Sequence, residues 1–239
     1  MDPKTKMWTA LAVTTVLIGL ALFISAGTID YWQAWVYLGV GAVSSVLLAL
    51  SVIKDPLLLE SRTKGGPASE KRPSQRVIVL CAGVPAIAAF IAPGLERLFG
   101  WSSVPSWLSI VGGLLVIVSF WMVYRVFKEN SFGSSTIEIV SGQRVISTGP
   151  YAIVRNPMCA SAAVYFTSLS PALGSYRGLV ASALTILALA WRLFDEERFL
   201  ARSLPGYAEY RTKVRWHLLP GMDRGAPERD RLRENRRRE

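Results

Sequence analysis

Charged side chains are scarce in this 239-residue chain, at 18% of the residues against 51% for hydrophobic ones. Soluble proteins average about a quarter charged residues. The shortage is greatest near the N-terminus, since the charged residues before Lys54 are Asp2, Lys4, Lys6 and Asp30. Uncharged apolar runs of this length are typical of segments that lie in lipid, and they exclude a soluble enzyme with a single aqueous core.

Metal-binding residue types are equally scarce. His217 is the one histidine, and the two cysteines, Cys81 and Cys159, both lie among apolar residues. No cysteines or histidines have the spacing of a zinc, haem or iron–sulfur motif. The sequence therefore predicts neither a metal site nor a disulfide framework.

Four apolar runs, the first three of them uncharged, are long enough to cross a hydrocarbon core of roughly 30 Å, which takes about 20 helical residues. They cover residues 7–26, 32–53, 77–95 and 104–127. Pro85 interrupts the third run, and Pro93 with Gly94 is expected to end it. Two shorter runs, 159–173 and 178–194, flank a turn-forming segment and predict a helical hairpin.

These runs predict an all-α fold, namely a polytopic membrane protein with about five to six transmembrane helices. Residues 1–127 would form N-terminal transmembrane helices. Residues 128–222 would form a C-terminal core that contains the hairpin at 159–194. Residues 223–239 mix arginine with acids and almost no apolar groups, and this composition predicts a disordered charged tail.

The distribution of lysine and arginine predicts the orientation of these helices. With the N-terminus in the cytoplasm, every basic residue except Arg97 and Arg177 falls on the cytoplasmic side. Both termini are then cytoplasmic. The net charge of +10 belongs to segments that face the lipid surface, and it does not indicate a nucleic-acid partner.

A nucleotide-binding fold does not fit into the polar segments. The stretches 54–76, 128–157 and 195–239 are each too short for several βαβ units of about 30 residues. No glycine-rich phosphate loop is present either. A bulky cofactor would therefore have to lie in a pocket made of helix ends and loops.

A turn-forming segment, from Ser147 to Pro157, precedes the predicted hairpin. Gly149 and Pro150 favour a turn, and Pro157 suits the first position of a helix, where a missing N–H costs nothing. Such a helix start exposes backbone N–H donors to a polar ligand. A plain interfacial loop explains the same residues equally well.

Charged residues follow the last apolar run. Arg192 and Glu196 are four residues apart and share one helix face, and Asp195, Glu196 and Glu197 are consecutive acids beside the membrane interface. They favour a site for a cationic ligand, with Arg192 turned toward an anionic group. The alternative is a solvated helix face next to the membrane.

Tyr207 and Tyr210 lie three residues apart, on one side of a short predicted helix. The pair either covers a pocket or lies in the headgroup layer, where tyrosine is enriched. By themselves these two residues do not distinguish the two interpretations.

Taken in order, the three segments resemble the isoprenylcysteine carboxyl methyltransferase family, which includes bacterial inner-membrane members and shares its C-terminal core with phospholipid N-methyltransferases. The resemblance rests on Gly-Pro-Tyr-x-x-Val-Arg-Asn-Pro at 149–157, Arg-x-x-x-Glu-Glu-x-x-Leu at 192–200 and Gly-Tyr-x-x-Tyr at 206–210. It is strongest from Gly149 to Pro220.

The resemblance implies methyl transfer from S-adenosyl-L-methionine to a lipophilic acceptor, a carboxylate or an amine, at the cytoplasmic face. Carried over by position, the cofactor-binding residues are Gly149, Tyr151, Arg155, Asn156, Pro157, Glu197 and Tyr207. The catalytic residues would be Arg192, which orients a carboxylate, and Glu196, which accepts the proton of an amine. The family has a histidine before Pro157. Here the residue is Asn156, which forms hydrogen bonds but carries no charge.

Two other functions are open at this stage. A membrane sterol or steroid reductase would use NADPH, and it would be expected to bring more basic residues to the cofactor phosphate. A non-catalytic lipid-binding descendant of the enzymes is the second alternative, and Asn156 is the residue that favours it.

Overall fold

The computed structural model describes residues 2–64, 73–101, 103–130, 145–203, 206–218 and 221. Within them the chain forms eight α-helices and a single-turn 3₁₀ helix at Gly149–Ala152. The α-helices are α1 (Pro3–Ala26), α2 (Trp32–Ile53), α3 (Pro56–Lys64), α4 (Pro73–Phe99), α5 (Ser106–Glu129), α6 (Pro157–Ala172), α7 (Gly178–Ser203) and α8 (Tyr207–Lys213). The predicted tail at 223–239 and Pro220 lie outside the described residues.

Five helices in the described part of the chain are long and apolar enough to cross a membrane. They are α1, α2, Val77–Phe99 of α4, α5 and Gly178–Ala201 of α7. No strand occurs among the described residues, where the one β-type contact is an isolated parallel bridge between Val154 and Trp216. The predicted all-α, polytopic architecture is confirmed, and the chain is an integral membrane protein.

Two helices extend further than the hydropathy pattern predicts. Helix α4 continues through Pro85 and Pro93 to Phe99, so Pro93 does not end it. Proline is tolerated inside membrane helices because neighbouring groups satisfy the freed carbonyls. Helix α7 continues past Phe194 to Ser203, because the residues that follow are polar but nearly all good helix formers.

Small residues allow the helices to approach closely. A Cβ added at Gly112 of α5 would lie 2.5 Å from the backbone nitrogen of Ala172 in α6. A Cβ at Gly94 of α4 would lie 1.8 Å from Oγ of Ser25 in α1. Glycine therefore sets the α5–α6 and α1–α4 packing distances, as small residues do in membrane helix pairs.

The bundle has two ends of different character. We call one of them the basic end; it holds the starts of α1, α4 and α6, the ends of α2, α5 and α7, and all of α3 and α8. At the opposite end Glu96, 1% exposed, accepts hydrogen bonds from Ser175 Oγ and from the backbone N–H of Arg177, at 3.1 Å. These bonds tie α4 to the turn before α7.

Candidate functional site

The chain returns to the start of α6 after α8 and pairs with it. The backbone N–H of Arg155 donates to the carbonyl of Trp216 at 2.8 Å, and the N–H of Asn156 donates to the carbonyl of His217 at 3.1 Å. Two successive backbone bonds fix the register between these segments. They place the side chains of Arg155, Asn156 and His217 together at the basic end.

Glu197 is the centre of a buried polar cluster. Its Oε1 lies 3.3 Å from Nε of Arg155 and accepts a hydrogen bond of 2.9 Å from the side-chain amide of Asn156. Its Oε2 lies 3.1 Å from Nε2 of His217. Arg155 and Glu197 are each 5% exposed and His217 is 7% exposed. We call these four residues the Glu197 cluster.

Burial makes this cluster energetically demanding. Taking a carboxylate and a guanidinium out of water costs several kcal/mol per ion, which their attraction repays only with good geometry. Nε of Arg155 is buried and forms no hydrogen bond, although it lies 3.3 Å from Glu197. The cluster therefore contains one strong donor whose hydrogen-bonding capacity is not used by the described protein atoms.

Two tyrosines of α8 close the cluster from one side. Tyr207 and Tyr210 are each 5% exposed and pack against Leu200 of α7. The phenol of Tyr210 donates to the carbonyl of Tyr151 at 2.7 Å. Burial raises the pKa of Tyr207, and the charge of Glu197 raises it further, so Tyr207 stays a neutral hydroxyl at physiological pH.

The single-turn 3₁₀ helix positions Tyr151. Its phenolic oxygen accepts a hydrogen bond of 2.9 Å from the side-chain amide of Asn130, at the end of α5. Gly149 has φ +56°, and a Cβ there would lie 2.8 Å from the carboxylate of Glu129. Gly149 thus permits this turn to lie directly against α5.

Pro157 is buried and begins α6, as expected for a proline at the first helical position. Asn156 precedes it as the N-cap residue, but its side chain forms no capping bond. The amide donates to Glu197 instead. Asn156 therefore serves the polar cluster and not the helix start.

Arg192 and Glu196 lie one helical position away from the buried face of α7 that Leu193 and Glu197 form. Both are half-buried. Glu196 is close enough to Tyr151 to raise the pKa of the phenol, an effect smaller than that of burial. The predicted catalytic and cofactor-binding residues therefore gather at the same end of the bundle.

A cavity of about 320 Å³ lies between α1, α2, α5 and α6. It extends from Met7 at the basic end to Tyr37 and Tyr165, whose phenols are hydrogen-bonded to each other. The remaining lining is aliphatic, aromatic or small, with hydroxyls such as those of Thr14 and Ser45. Such a lining suits a hydrocarbon chain.

Two members of this region, His217 and Asn130, were not predicted as site residues. In the sequence His217 stands out only as the single histidine, although the resemblance extends over its segment. Asn130 belongs to no recognised motif. Of the two, only His217 had a usable signal in the sequence, because it lies between the paired tyrosines and Pro220.

Fold and site together define a polytopic helical membrane protein with a buried ionic cluster at one end. Residues 107–205 match the family profile described as phospholipid methyltransferase, so this segment is similar to that family. It includes α5, the 3₁₀ turn, α6 and nearly all of α7. The predicted relationship to membrane methyltransferases is thereby confirmed, whereas the match does not specify isoprenylcysteine as the substrate. No curated protein matches the chain significantly.

Proposed function

We propose that the protein transfers a methyl group from S-adenosyl-L-methionine to a lipophilic acceptor, with the basic end of the bundle facing the cytoplasm. The observation that carries this proposal is the contact between Arg155, Asn156 and Glu197, three residues predicted to bind the cofactor. All three lie in the segment that matches the methyltransferase family.

The residues of the Glu197 cluster fit the charges of this cofactor. Glu197 offers a carboxylate to a cationic group, and the unused N–H of Arg155 offers a donor to a carboxylate. Tyr207 adds a neutral hydroxyl beside them. When bound, S-adenosylmethionine supplies a methyl group on a positively charged sulfur, which needs no further activation.

The protein's main task is then to align two groups and exclude water. Tyr207 and Tyr210 lie over the cluster, and the side chains of Arg155, Glu197 and His217 are almost inaccessible. The cofactor therefore binds only when α8 and residues 214–218 are displaced from the end of α7. Their return over the bound cofactor would exclude water from the reaction.

Arg192 and Glu196 are the residues that act on the acceptor in this proposal. Arg192 orients an acceptor carboxylate, which is ionised at neutral pH and needs no base. Glu196 removes the proton if the acceptor is an amine. Their half-buried position on α7, next to Glu197, suits contact with both the cofactor and a second ligand.

The cavity supports a lipophilic acceptor. It lies between α6 and three of the helices that can cross the membrane, and its wall offers hydroxyls but no charged side chain. Met7, at its basic end, also packs against the apolar cluster around Val126 and Phe127, and Tyr151 packs against the same cluster. A hydrocarbon chain in the cavity would therefore lead toward the predicted site.

Ligand binding tests the proposal directly. Isothermal titration of the detergent-purified chain with S-adenosylhomocysteine and with NADP⁺ should give binding to the former alone. Binding of NADP⁺ alone would support the reductase, and binding of neither would support the non-catalytic lipid-binding protein. Incubation of membranes with methyl-labelled S-adenosylmethionine should then label a lipid-soluble product only when the chain is present.

A further inference from the structure

Two phenols meet at the wall of the cavity between α1, α2, α5 and α6. Tyr37 of α2 is 5% exposed, Tyr165 of α6 is half-buried, and both line the cavity. Their hydroxyls are hydrogen-bonded to each other. The proposed function uses the cavity only as space for hydrocarbon, and hydrocarbon needs no polar group on the wall.

This phenol pair contains one more proton than its hydrogen bond uses. Each phenol has one O–H donor, and only one of the two donors can lie along the bond between Tyr37 and Tyr165. The other O–H has no acceptor among the described residues. An unsatisfied donor is costly inside a membrane protein, because no bulk water replaces the missing acceptor.

Aromatic neighbours hold the two phenol rings in place. The ring centroid of Tyr37 lies 6.1 Å from that of Phe90 in α4. The ring centroid of Tyr165 lies 6.1 Å from that of Phe120 in α5, with the two rings edge to face. Packing of this kind fixes ring orientation. The two hydroxyls therefore keep their position at the wall of the cavity.

The phenol pair is distant from the basic end of the cavity. Along α1 the wall extends from Met7 to Ile18, a rise of about 16 Å in an α-helix. A Cβ added at Gly19 of α1 would lie 3.6 Å from Leu38 of α2, so Tyr37 is level with the far part of this wall. The cavity is not enclosed, so a molecule dissolved in the membrane can enter it.

We propose that the cavity binds a neutral lipophilic molecule whose carbonyl, ether or hydroxyl oxygen accepts the free O–H of the Tyr37–Tyr165 pair. A neutral oxygen fits because the wall has no charged side chain that could balance an ion. The oxygen lies deep in the cavity and not at its basic end. This inference goes beyond the proposed function, since it holds whether or not the bound molecule is the methyl acceptor.

A double variant, Tyr37→Phe with Tyr165→Phe, removes both hydroxyls and keeps both rings. Replacement of both partners of a hydrogen bond by apolar groups of the same shape is nearly neutral, so the thermal unfolding midpoint should stay close to that of the wild type. Tyr124→Phe is the matched control, because Tyr124 of α5 is 38% exposed and does not line the cavity.

Infrared spectroscopy with dihexyl ketone tests the hydrogen bond itself, in dodecyl maltoside. A ketone that accepts a phenol proton absorbs at a lower carbonyl frequency than the same ketone in the micelle. The wild type and Tyr124→Phe should add a saturable low-frequency band that the double variant lacks. Absence of this band from the wild type, or equal bands in the wild type and the double variant, would overturn the assignment.

A buried water molecule is another acceptor for the free O–H. Competition against tritium-labelled dihexyl ketone distinguishes water from a ligand oxygen, with concentrations expressed as mole fractions in the micelle. For the wild type, unlabelled ketone should compete roughly fivefold better than tridecane, the ratio expected for one neutral hydrogen bond. The double variant should not distinguish them. Equal competition in the wild type would show that the pair binds water only, contrary to the proposal.

The ester carbonyl of a bilayer lipid is a second source of the same kind of oxygen. Phosphatidylcholine added to the micelles should leave the low-frequency ketone band of the wild type unchanged. Loss of the band would show that a bilayer lipid fills the site, and the assignment to a separate lipophilic molecule would be wrong.

Binding of S-adenosylhomocysteine separates this inference from the proposed function. The double variant should bind S-adenosylhomocysteine as the wild type does, because neither phenol belongs to the Glu197 cluster. A wild type that gives the low-frequency ketone band but does not bind S-adenosylhomocysteine would contradict the methyltransferase proposal alone.

Discussion

Asn156 donates a hydrogen bond of 2.9 Å from its side-chain amide to Glu197, which is 41 residues away in sequence. Asn156 occupies the position where the isoprenylcysteine carboxyl methyltransferase family, which the sequence resembles, has histidine. Both residue types can donate an N–H to a carboxylate, so the contact does not require the histidine itself. The replacement of histidine by asparagine therefore preserves a hydrogen bond to the carboxylate of Glu197.

Substitution of Asn156 tests whether this bond supports cofactor binding. Asn156→Ala removes one donor from a buried carboxylate, and we expect the affinity for S-adenosylhomocysteine to fall roughly tenfold. Asn156→His restores a ring N–H, so its affinity should stay close to that of the wild type. Calorimetry measures both. Unchanged affinity in Asn156→Ala would show that the bond has no part in binding.

Substitution of Glu197 tests the ionic cluster. Glu197→Gln leaves the buried guanidinium of Arg155 without its counter-charge, and breaking a buried pair in this way costs about 3–5 kcal/mol. We expect a lower thermal unfolding midpoint in detergent and loss of S-adenosylhomocysteine binding. Glu209 offers a matched control, since its carboxylate is paired with Lys213 but is 71% exposed. If Glu197→Gln behaves like Glu209→Gln, the cluster does not have the proposed importance.

Two adjacent glycines of α5 test the contact with α6. A Cβ at Gly112 would lie within 2.8 Å of two backbone atoms of Ala172, whereas a Cβ at Gly113 meets nothing within 4 Å. Gly112→Ala should destabilise the protein by about 1–3 kcal/mol, the usual cost of overpacking. Gly113→Ala should be neutral or slightly stabilising. Thermal unfolding in one detergent compares them, and equal midpoints would contradict the close contact.

Alkaline pH tests the burial of the α8 tyrosines. Burial raises the pKa of Tyr207 and Tyr210 above their usual value of about 10, so the unfolded chain loses these protons first. Their contribution to stability is complete below about pH 10 and is lost as the pH rises toward the folded-state pKa. The thermal unfolding midpoint should decrease as the pH is raised above 10. The decrease should be less steep in a Tyr207→Phe, Tyr210→Phe double variant. Tyr176→Phe, at an exposed position, should retain the slope of the wild type.

The first four transmembrane helices could be predicted because each leaves a local signal, an apolar run of about 20 residues with at most one charge. The C-terminal end of α7 could not be predicted in this way. Its hydropathy signal stops at Phe194, while the polar residues that follow still favour a helix. Helix α4 differs from the prediction for a related reason, since Pro93 breaks a helix in water more readily than in a packed membrane bundle.

Part of the site could also be predicted from local sequence signals. Arg155, Asn156 and Glu197 lie in short motifs whose order the sequence displays. Their pairing with His217 depends on the return of the chain to the start of α6, and no local pattern encodes that return.

The covering of the Glu197 cluster by α8 and residues 214–218 has a kinetic consequence. In a methyltransferase built this way, α8 and residues 214–218 must move away from the cluster twice in each turnover. They move once to admit S-adenosylmethionine and once to release S-adenosylhomocysteine. Such movements commonly limit the rate of enzymes that enclose their ligands. Turnover would then vary with solvent viscosity and with the strength of the bond from Tyr210 to Tyr151, more than with the reactivity of the acceptor.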